Sequence, residues 1–190
     1  MLLRRPVLVL ALTTTLCSGL IGTSCVDSPP EPPLQVQLFK RGGSPVALAS
    51  GDDLTPGDEL YLKVMAHRAL YLYVISEDAA GERRVIFPCR TWSRSRALGA
   101  GRLYRLPPPL LGRETFWPVG SVTSRERLRV IASVRSLDLL ESTVTAAEND
   151  PPCAAPVTDA TSREIDELLR RRNQEVSIST YELRGTASHG

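Results

Sequence analysis

The chain has 190 residues, 42% of them hydrophobic, which favours one domain of ordinary size with a real core. Its formal net charge of +2 arises within the first 24 residues, where Arg4 and Arg5 face no acid. The remainder carries 21 basic and 21 acidic residues. This neutral balance lacks the electrostatic footprint of nucleic-acid binding, so no nucleic-acid partner is expected.

Residues 1–24 are predicted to be a secretory signal peptide. A short basic segment, 1–6, precedes an apolar run at 7–21, and the small residues 22–24 follow it. The competing interpretation is a transmembrane helix, which needs about 20 consecutive apolar residues. This run is shorter and has three threonines in its middle, so the sequence predicts export.

Cys25 follows the small residues directly, an arrangement that resembles the bacterial lipobox. Thr23 and Ser24 suit that motif, whereas Gly22 stands where a leucine is usual. The resemblance implies lipidation of Cys25 and a membrane-anchored protein on the periplasmic face or the cell surface. Ordinary cleavage near Ser24, with Cys25 left as a thiol, is the alternative. The Pro-rich stretch 25–33 is predicted to be an extended tether.

Residues 34–184 are predicted to form a single β-rich domain. Alternating or continuous apolar residues indicate strands at 34–39, 46–50, 59–66, 69–76, 82–87, 102–106, 127–134 and 176–183. The nearly all-apolar strand 69–76 should be covered on both faces. Because the strands between 59 and 87 are joined by short turns, they are predicted to form an antiparallel meander.

Two helices are predicted in the last third of the chain. The first begins near Ser136, and the second begins at a capping box formed by Thr161 and Glu164. The fold class is therefore mainly β: an antiparallel β-sandwich-like domain with one or two C-terminal helices and a closing strand. Residues 185–190 are expected to be a disordered tail.

Several polar and aromatic residues receive structural interpretations. Asp52 and Asp58 follow glycines, which predicts two turns. Glu77 and Asp78 are placed at a solvated hairpin tip. Tyr71 and Tyr73 are expected to pack against Tyr61 (assigned to the neighbouring strand).

The cysteines beyond the export segment form an even pair, Cys89 and Cys153. In an oxidising compartment this pair predicts a disulfide, although two independent thiols are the alternative. A metal site is not expected, because only His67 and His189 are available to join two cysteines.

No catalytic residue and no cofactor are predicted. Neither His67 nor His189 lies near a nucleophile motif, and no Gly-rich phosphate loop opens a helix. Residues 89–101 are predicted to be an Arg- and Ser-rich loop, the Trp92 loop. The binding candidates are Trp92 and the arginines around it, Arg90, Arg94 and Arg96, since Trp and Arg are enriched at binding hot spots.

An ordered set of small motifs resembles a bacterial domain-of-unknown-function family, number 4384, over residues 46–135. The motifs are Gly51-Asp-x-Leu54, Gly57-Asp58, Tyr71-Leu-Tyr-Val74, Gly81, Phe87-Pro88, Leu98 with Gly101, Leu106-Pro107 and Ile131-Ala-Ser133. The resemblance implies an extracytoplasmic, β-rich, non-catalytic module and carries no functional residues with it. The Trp92 loop, the cysteine pair and everything after residue 135 are not explained by it.

The sequence thus predicts a non-catalytic cell-envelope lipoprotein that binds a protein or glycan, or serves structurally. The alternative is an extracytoplasmic hydrolase whose site is assembled from scattered Asp, Glu and Arg residues. A third possibility is a subunit whose edge strand pairs with a neighbour. A deep pocket with converging carboxylates would favour the enzyme, and a shallow surface around Trp92 would favour the binder.

Overall fold

Short strands with alternating apolar residues build two sheets in the computed structural model, which describes residues 33–89, 97–120, 125–146, 154–171 and 175–186. In chain order the elements are β1 (Leu34–Lys40), β2 (Val46–Leu48), β3 (Asp53–Leu54), β4 (Glu59–Ala66), β5 (Leu70–Glu77), β6 (Arg83–Phe87), β7 (Ala97–Leu98), β8 (Arg102–Leu106), β9 (Trp117–Pro118), β10 (Arg125–Ser133), α1 (Asp138–Ala146), β11 (Ala155–Pro156), α2 (Asp159–Arg171) and β12 (Val176–Gly185).

The first sheet has the strand order β2-β1-β4-β8, with β9 also paired to β4. The second has the order β11-β6-β5-β10-β12-β3, with β7 also paired to β5. The β12–β3 pair is parallel, and the other strand pairs are antiparallel. The predicted fold class, mainly β with two C-terminal helices and a closing strand, is confirmed.

One apolar core lies between the two sheets. Leu62 and Val64 of β4 belong to the same buried cluster as Leu72 and Val74 of β5 and Val130 of β10, and none of these five side chains is exposed. They alternate with residues on the opposite strand faces, so period-two patterning in the sequence places them here.

A second core lies on the other face of the second sheet, under the helices. Tyr73 and Ile75 of β5 cluster there with Leu140 of α1 and Ile165 of α2. The Tyr73 hydroxyl donates to Glu141 Oε1 at 2.6 Å and accepts from Leu137 N at 3.1 Å. Strand β5 is therefore covered on both faces, as predicted, because helices and a sheet enclose it.

The predicted meander is wrong at its first turn. β4 pairs with β1, β8 and β9, whereas β5 pairs with β6, β7 and β10, so the connection 67–69 passes from one sheet to the other. Ala66 and Leu70, on either side of it, are both buried in the core between the sheets. A short connection joins neighbours in space, but those neighbours can face each other across a core instead of sharing hydrogen bonds.

The tyrosine prediction fails for the same reason. Tyr61 belongs to the first sheet and stacks on Phe39, with ring centroids 5.1 Å apart. Tyr71 and Tyr73 belong to the second sheet and pack in the core under the helices. Tyr61 is thus separated from the other two by the core between the sheets.

Helix α2 begins earlier than predicted. Thr158 Oγ1 accepts a hydrogen bond from Thr161 N at 3.3 Å, which makes Thr158 the N-cap. Thr161 is buried in the first turn, and its hydroxyl contacts those of Thr143 and Thr158. The predicted capping box of Thr161 and Glu164 is wrong because an equivalent threonine lies three residues upstream.

The two predicted Gly-Asp turns are confirmed. Gly51 and Gly57 have φ of 97° and 90°, a backbone region that glycine adopts without strain. Asp52 accepts a hydrogen bond from Ala49 N and Asp58 accepts one from Thr55 N, each at 2.8 Å. These aspartates therefore serve the turns.

The predicted tail of 185–190 is wrong at its start. Gly185 is the last residue of β12 and pairs with Leu54, and Thr186 N donates to Leu54 O at 2.8 Å. Residues 187–190 lie outside the described residues. The alternation that defines the strand stops at Leu183, whereas the backbone pairing with β3 continues beyond it.

Candidate binding cleft

A cleft of about 420 Å³ lies between the two sheets. The second sheet contributes Ser76, Arg84, Ile86, Glu126, Leu128 and Leu183 to its lining, and the first sheet contributes Leu60 and Trp117. Such a volume falls at the lower end of the range for small-molecule sites.

Strand register explains how the second sheet forms its wall. Ser76 of β5 is the registered partner of both Leu128 of β10 and Arg84 of β6. Two residues before Leu128 in β10, Glu126 is opposite Leu183 of β12. Since side chains two residues apart share a face, Glu126 and Leu128 continue the row that Val130 begins in the core.

The other wall is held in place by backbone pairing. Leu60 of β4 pairs with Trp117 of β9. Val119, two residues after Trp117, is held to the turn before β4 by two hydrogen bonds: Val119 N donates to Asp58 O at 2.7 Å, and Gly57 N donates to Val119 O at 2.9 Å. This segment is therefore a rigid support for the cleft.

The depth of the cleft is apolar. Leu60, Trp117, Val119, Leu128 and Leu183 line it and are buried. They belong to the core cluster between the sheets, so the cleft is an accessible extension of that core. An apolar group of a ligand that entered the cleft would be removed from water without the desolvation of polar groups of the protein in this part of the lining.

Acidic side chains stand at the polar part of the lining. Asp78, Glu82 and Glu126 are there together with Arg84. Asp78 Oδ1 accepts from Ala80 N and Glu82 N, both at 2.9 Å, so this carboxylate stabilises the β5–β6 hairpin. Glu82 lies 3.6 Å from Arg84 in an exposed ion pair.

Glu126 differs from its neighbours because its carboxylate forms no hydrogen bond or ion pair with any residue in the described ranges. Burial raises the pKa of its carboxyl group, and the negative charge of Asp78 raises it further. A half-buried carboxylate without a countercharge is unfavourable for folding, and such groups are found where a ligand supplies what is missing.

Substituting Glu126 with glutamine is expected to raise Tm at pH 7 by about 2 to 4 °C. The folded-state pKa of Glu126 lies above the unfolded value of 4.5, so the ionised form destabilises the fold at neutral pH. That penalty disappears as the pH falls through the folded-state pKa, and the advantage of the variant should shrink with it. Thermal unfolding of both proteins between pH 4 and 8 measures this.

The matched control is Glu82→Gln, on the same lining but with its side chain 67% exposed. It should change Tm little at any pH in this interval, since water solvates either form. A Glu126→Gln protein that is less stable than the wild type at pH 7 would contradict the assignment.

A second charged group, the Glu77 cluster, consists of Glu77 and three arginines, Arg83, Arg127 and Arg129. From the sequence, Glu77 is predicted to be exposed to solvent. Glu77 is instead buried and accepts hydrogen bonds from Arg83 Nε at 2.7 Å, Arg127 Nη1 at 2.5 Å and Arg129 Nη1 at 2.6 Å. The earlier prediction is wrong because Glu77 continues the face of β5 that bears Tyr73 and Ile75, on the side that the helices cover.

The Glu77 cluster connects the sheet to α2. Arg83 donates to Ser162 O at 3.1 Å and lies 2.8 Å from Asp166, while Arg127 lies 3.0 Å from Glu182. Burial alone would raise the pKa of Glu77, but the hydrogen bond from Arg83 and the charges of three arginines outweigh it and lower that pKa. Both oxygens of this carboxylate are engaged, so its role is structural.

The binding residues predicted from the sequence, Arg90, Trp92, Arg94 and Arg96, lie outside the described residues, as do Cys25 and Cys153. Cys89 is buried two residues after the end of β6. These assignments stay predictions. Within the described ranges, no group of three or more His, Cys, Asp or Glu side chains is placed to hold a metal ion.

The cleft itself was missed because its residues come from six strands spread over the chain. One local signal pointed to it: Glu126 precedes Leu128 and Val130 on the same strand face, so an acid continues an apolar row. Starting the strand at Arg127 hid this signal, since the strand begins at Arg125.

Residues 53–136 match the model of a family described as a domain of unknown function, DUF4384. The predicted resemblance to this family is thereby confirmed, over a segment that runs from β3 to just beyond β10. No curated protein and no solved structure matches the chain.

Proposed function

We propose that this chain is an exported, lipid-anchored module of the cell envelope that binds a ligand in the cleft and catalyses no reaction. The observation that carries the proposal is the cleft between the sheets, with apolar walls and a few polar groups at one side. Concave apolar sites of this size with few polar groups are typical of ligand binding.

Two features of the lining favour binding over catalysis. Asp78 is committed to the hairpin backbone and Glu82 is exposed beside Arg84, so Glu126 is the carboxylate left for chemistry. General acid–base hydrolysis usually needs a second group to activate water or to attack.

Export and anchoring rest on the sequence of residues 1–33. The described domain begins with β1 at Leu34, so the Pro-rich stretch 25–33, predicted to be an extended tether, would join a lipid on Cys25 to the domain. No helix in the described ranges is long and apolar enough to cross a membrane. A lipid on Cys25 is proposed as the membrane attachment.

The predicted disulfide has support from strand pairing. Ala155, two residues after Cys153, is the registered partner of Val85, four residues before Cys89. The short chain segments on both sides limit how far apart the two cysteines can lie. A Cys89–Cys153 bond would join β6 to the segment that leads into α2.

Mass spectrometry of the mature protein, purified from membranes, tests both modifications. Lipidation predicts an N-terminal peptide that starts at Cys25 and carries acyl chains, and the disulfide predicts a Cys89–Cys153 linked peptide that disappears on reduction. An unmodified N-terminus, or two free thiols in the native protein, would contradict the respective part.

Tryptophan resonances can distinguish the cleft from the Arg-rich loop as the binding site. The chain has two tryptophans, Trp92 in that loop and Trp117 in the cleft, and the variant Trp92→Phe assigns their indole N–H signals. A fragment screen by NMR should yield ligands that shift the Trp117 signal. Ligands that shift only the Trp92 signal would indicate that the binding site is in the Trp92 loop. A pull-down from solubilised membranes with native protein and Trp92→Ala would then identify the partner of that loop.

An extracytoplasmic hydrolase is the second candidate, favoured by one observation. The raised pKa of Glu126 beside a second carboxylate is an arrangement that general acids use. In this case a screen of glycoside, ester and peptide substrates should find turnover that Glu126→Gln abolishes. Turnover that survives this substitution would exclude Glu126 as the acid.

A further inference from the structure

We propose that the cleft selects a small ligand with an apolar body and one cationic group, an amine or a guanidinium. This inference rests on the proposed binding function and specifies the chemistry of its ligand. Three properties of the cleft support it: the charge of its lining, the position of Glu126 beside the apolar walls, and its volume.

The charge of the lining is unbalanced. Asp78, Glu82 and Glu126 are acidic, and Arg84 is the basic residue among them. Arg84 lies 3.6 Å from Glu82, so these two charges largely offset each other. Two backbone N–H groups partly satisfy Asp78. Glu126 retains a negative charge without a partner among the described residues.

The position of Glu126 allows one ligand to use both parts of the cleft. It shares a strand face with Leu128 and is in register with Leu183, and both of these buried side chains line the apolar depth. A cation at the carboxylate would therefore direct the rest of the ligand against Leu128, Leu183 and Trp117. Charge-assisted hydrogen bonds of this kind gain strength where water is partly excluded.

The volume argues for a small molecule. A space of about 420 Å³ holds a ring with a short chain, but not a folded partner. An anionic ligand of the same shape would meet Asp78 and Glu126 as like charges, and burial would leave its charge unpaired. A neutral ligand would gain the apolar contacts and leave Glu126 without a countercharge.

Three probes with one shape and different charge test this selection: 3-phenylpropylamine, 3-phenylpropan-1-ol and 3-phenylpropanoate. Each is titrated into the full chain while the Trp117 indole signal is followed, with Trp92→Phe as the assigned reference. The amine is expected to bind about tenfold more tightly than the alcohol, and the carboxylate most weakly.

The variant Glu126→Gln should weaken the amine about tenfold and leave the alcohol unchanged. Glu82→Gln is the matched control, and amine affinity should stay within about twofold of the wild type because Arg84 already offsets that charge. Unchanged backbone spectra of both variants confirm that the fold is intact.

The outcomes separate the inference from the proposed function. If the alcohol or the carboxylate binds as tightly as the amine, selection for a cation is overturned while binding in the cleft stands. An amine preference that survives Glu126→Gln overturns the role of Glu126 and with it the inference. If no probe shifts the Trp117 signal at millimolar concentration, the cleft is not a site for such ligands, and both ideas fail there.

Discussion

Replacing Glu77 with alanine is expected to lower the free energy of unfolding by about 3 to 5 kcal/mol, as measured by urea denaturation. The carboxylate is the shared partner of Arg83, Arg127 and Arg129. Arg129 is buried, and within the described part of the chain its guanidinium pairs with Glu77 alone. Removing the anion leaves these positive charges close together in a partly desolvated place.

The control is Glu82→Ala in the same β-hairpin. The side chain of Glu82 is 67% exposed and lies 3.6 Å from that of Arg84, so its removal should cost less than about 1 kcal/mol. If both variants lose the same stability, the arginines do not depend on Glu77, and its assignment as the centre of the cluster is wrong.

The contribution of Glu77 should also depend on pH, with the sign opposite to that of Glu126. Its folded-state pKa lies below the unfolded value of 4.5, so its stabilising effect is complete above the unfolded value. The effect is lost as the pH falls through the folded-state pKa. The stability difference between wild type and Glu77→Gln should therefore be constant near neutrality and shrink in acid.

The segment 53–136, which matches the family model, is expected not to fold when it is expressed alone. It lacks β1, which pairs with β4 over its whole length from Leu34 to Lys40, and β12, which pairs with β10 from Val176 to Arg184. It also lacks both helices and their buried residues Leu140 and Ile165. Without these elements the second core, under the helices, is lost, and β4 and β10 become edge strands.

Circular dichroism and amide-proton dispersion measure this directly. The fragment 33–186 should unfold cooperatively, and the fragment 53–136 should show neither a thermal transition nor dispersed signals. A cooperative transition in the shorter fragment would show that β1, β12 and the helices are additions to a self-sufficient unit.

Strand positions in this protein follow from local pattern, but strand partners do not. The alternation of Leu60, Leu62 and Val64 identifies a strand and its buried face from nearby residues alone. Which strand lies beside it depends on pairing between distant segments, and a three-residue connection fits a hairpin or a crossing between sheets equally well. This is why the strands were predicted and the meander was wrong.

The placement of Glu77 in solvent was wrong because the alternation of apolar and polar residues distinguishes the two faces of a strand but does not show what covers each face. Arg127 and Arg129 alternate with Leu128, a pattern that usually means a solvated face. Here that face continues the sheet surface on which α1 and α2 pack, and Arg83 bonds to α2. Helices α1 and α2, which cover this row of side chains, lie beyond residue 137. The sequence of β10 by itself does not indicate which of its faces they cover.

The last strand of the chain lies inside the second sheet, between β10 and β3. Ser50 and Gly51, near the start of the domain, bond to the backbone of Thr180 and Glu182 in this strand. Contacts between such distant parts of a chain form slowly, because a long loop must close first. A chain that folds from its N-terminus would therefore hold an open strand edge on β10 until the residues of β12 become available. Its most aggregation-prone interval would be the time between the appearance of β10 and that of β12.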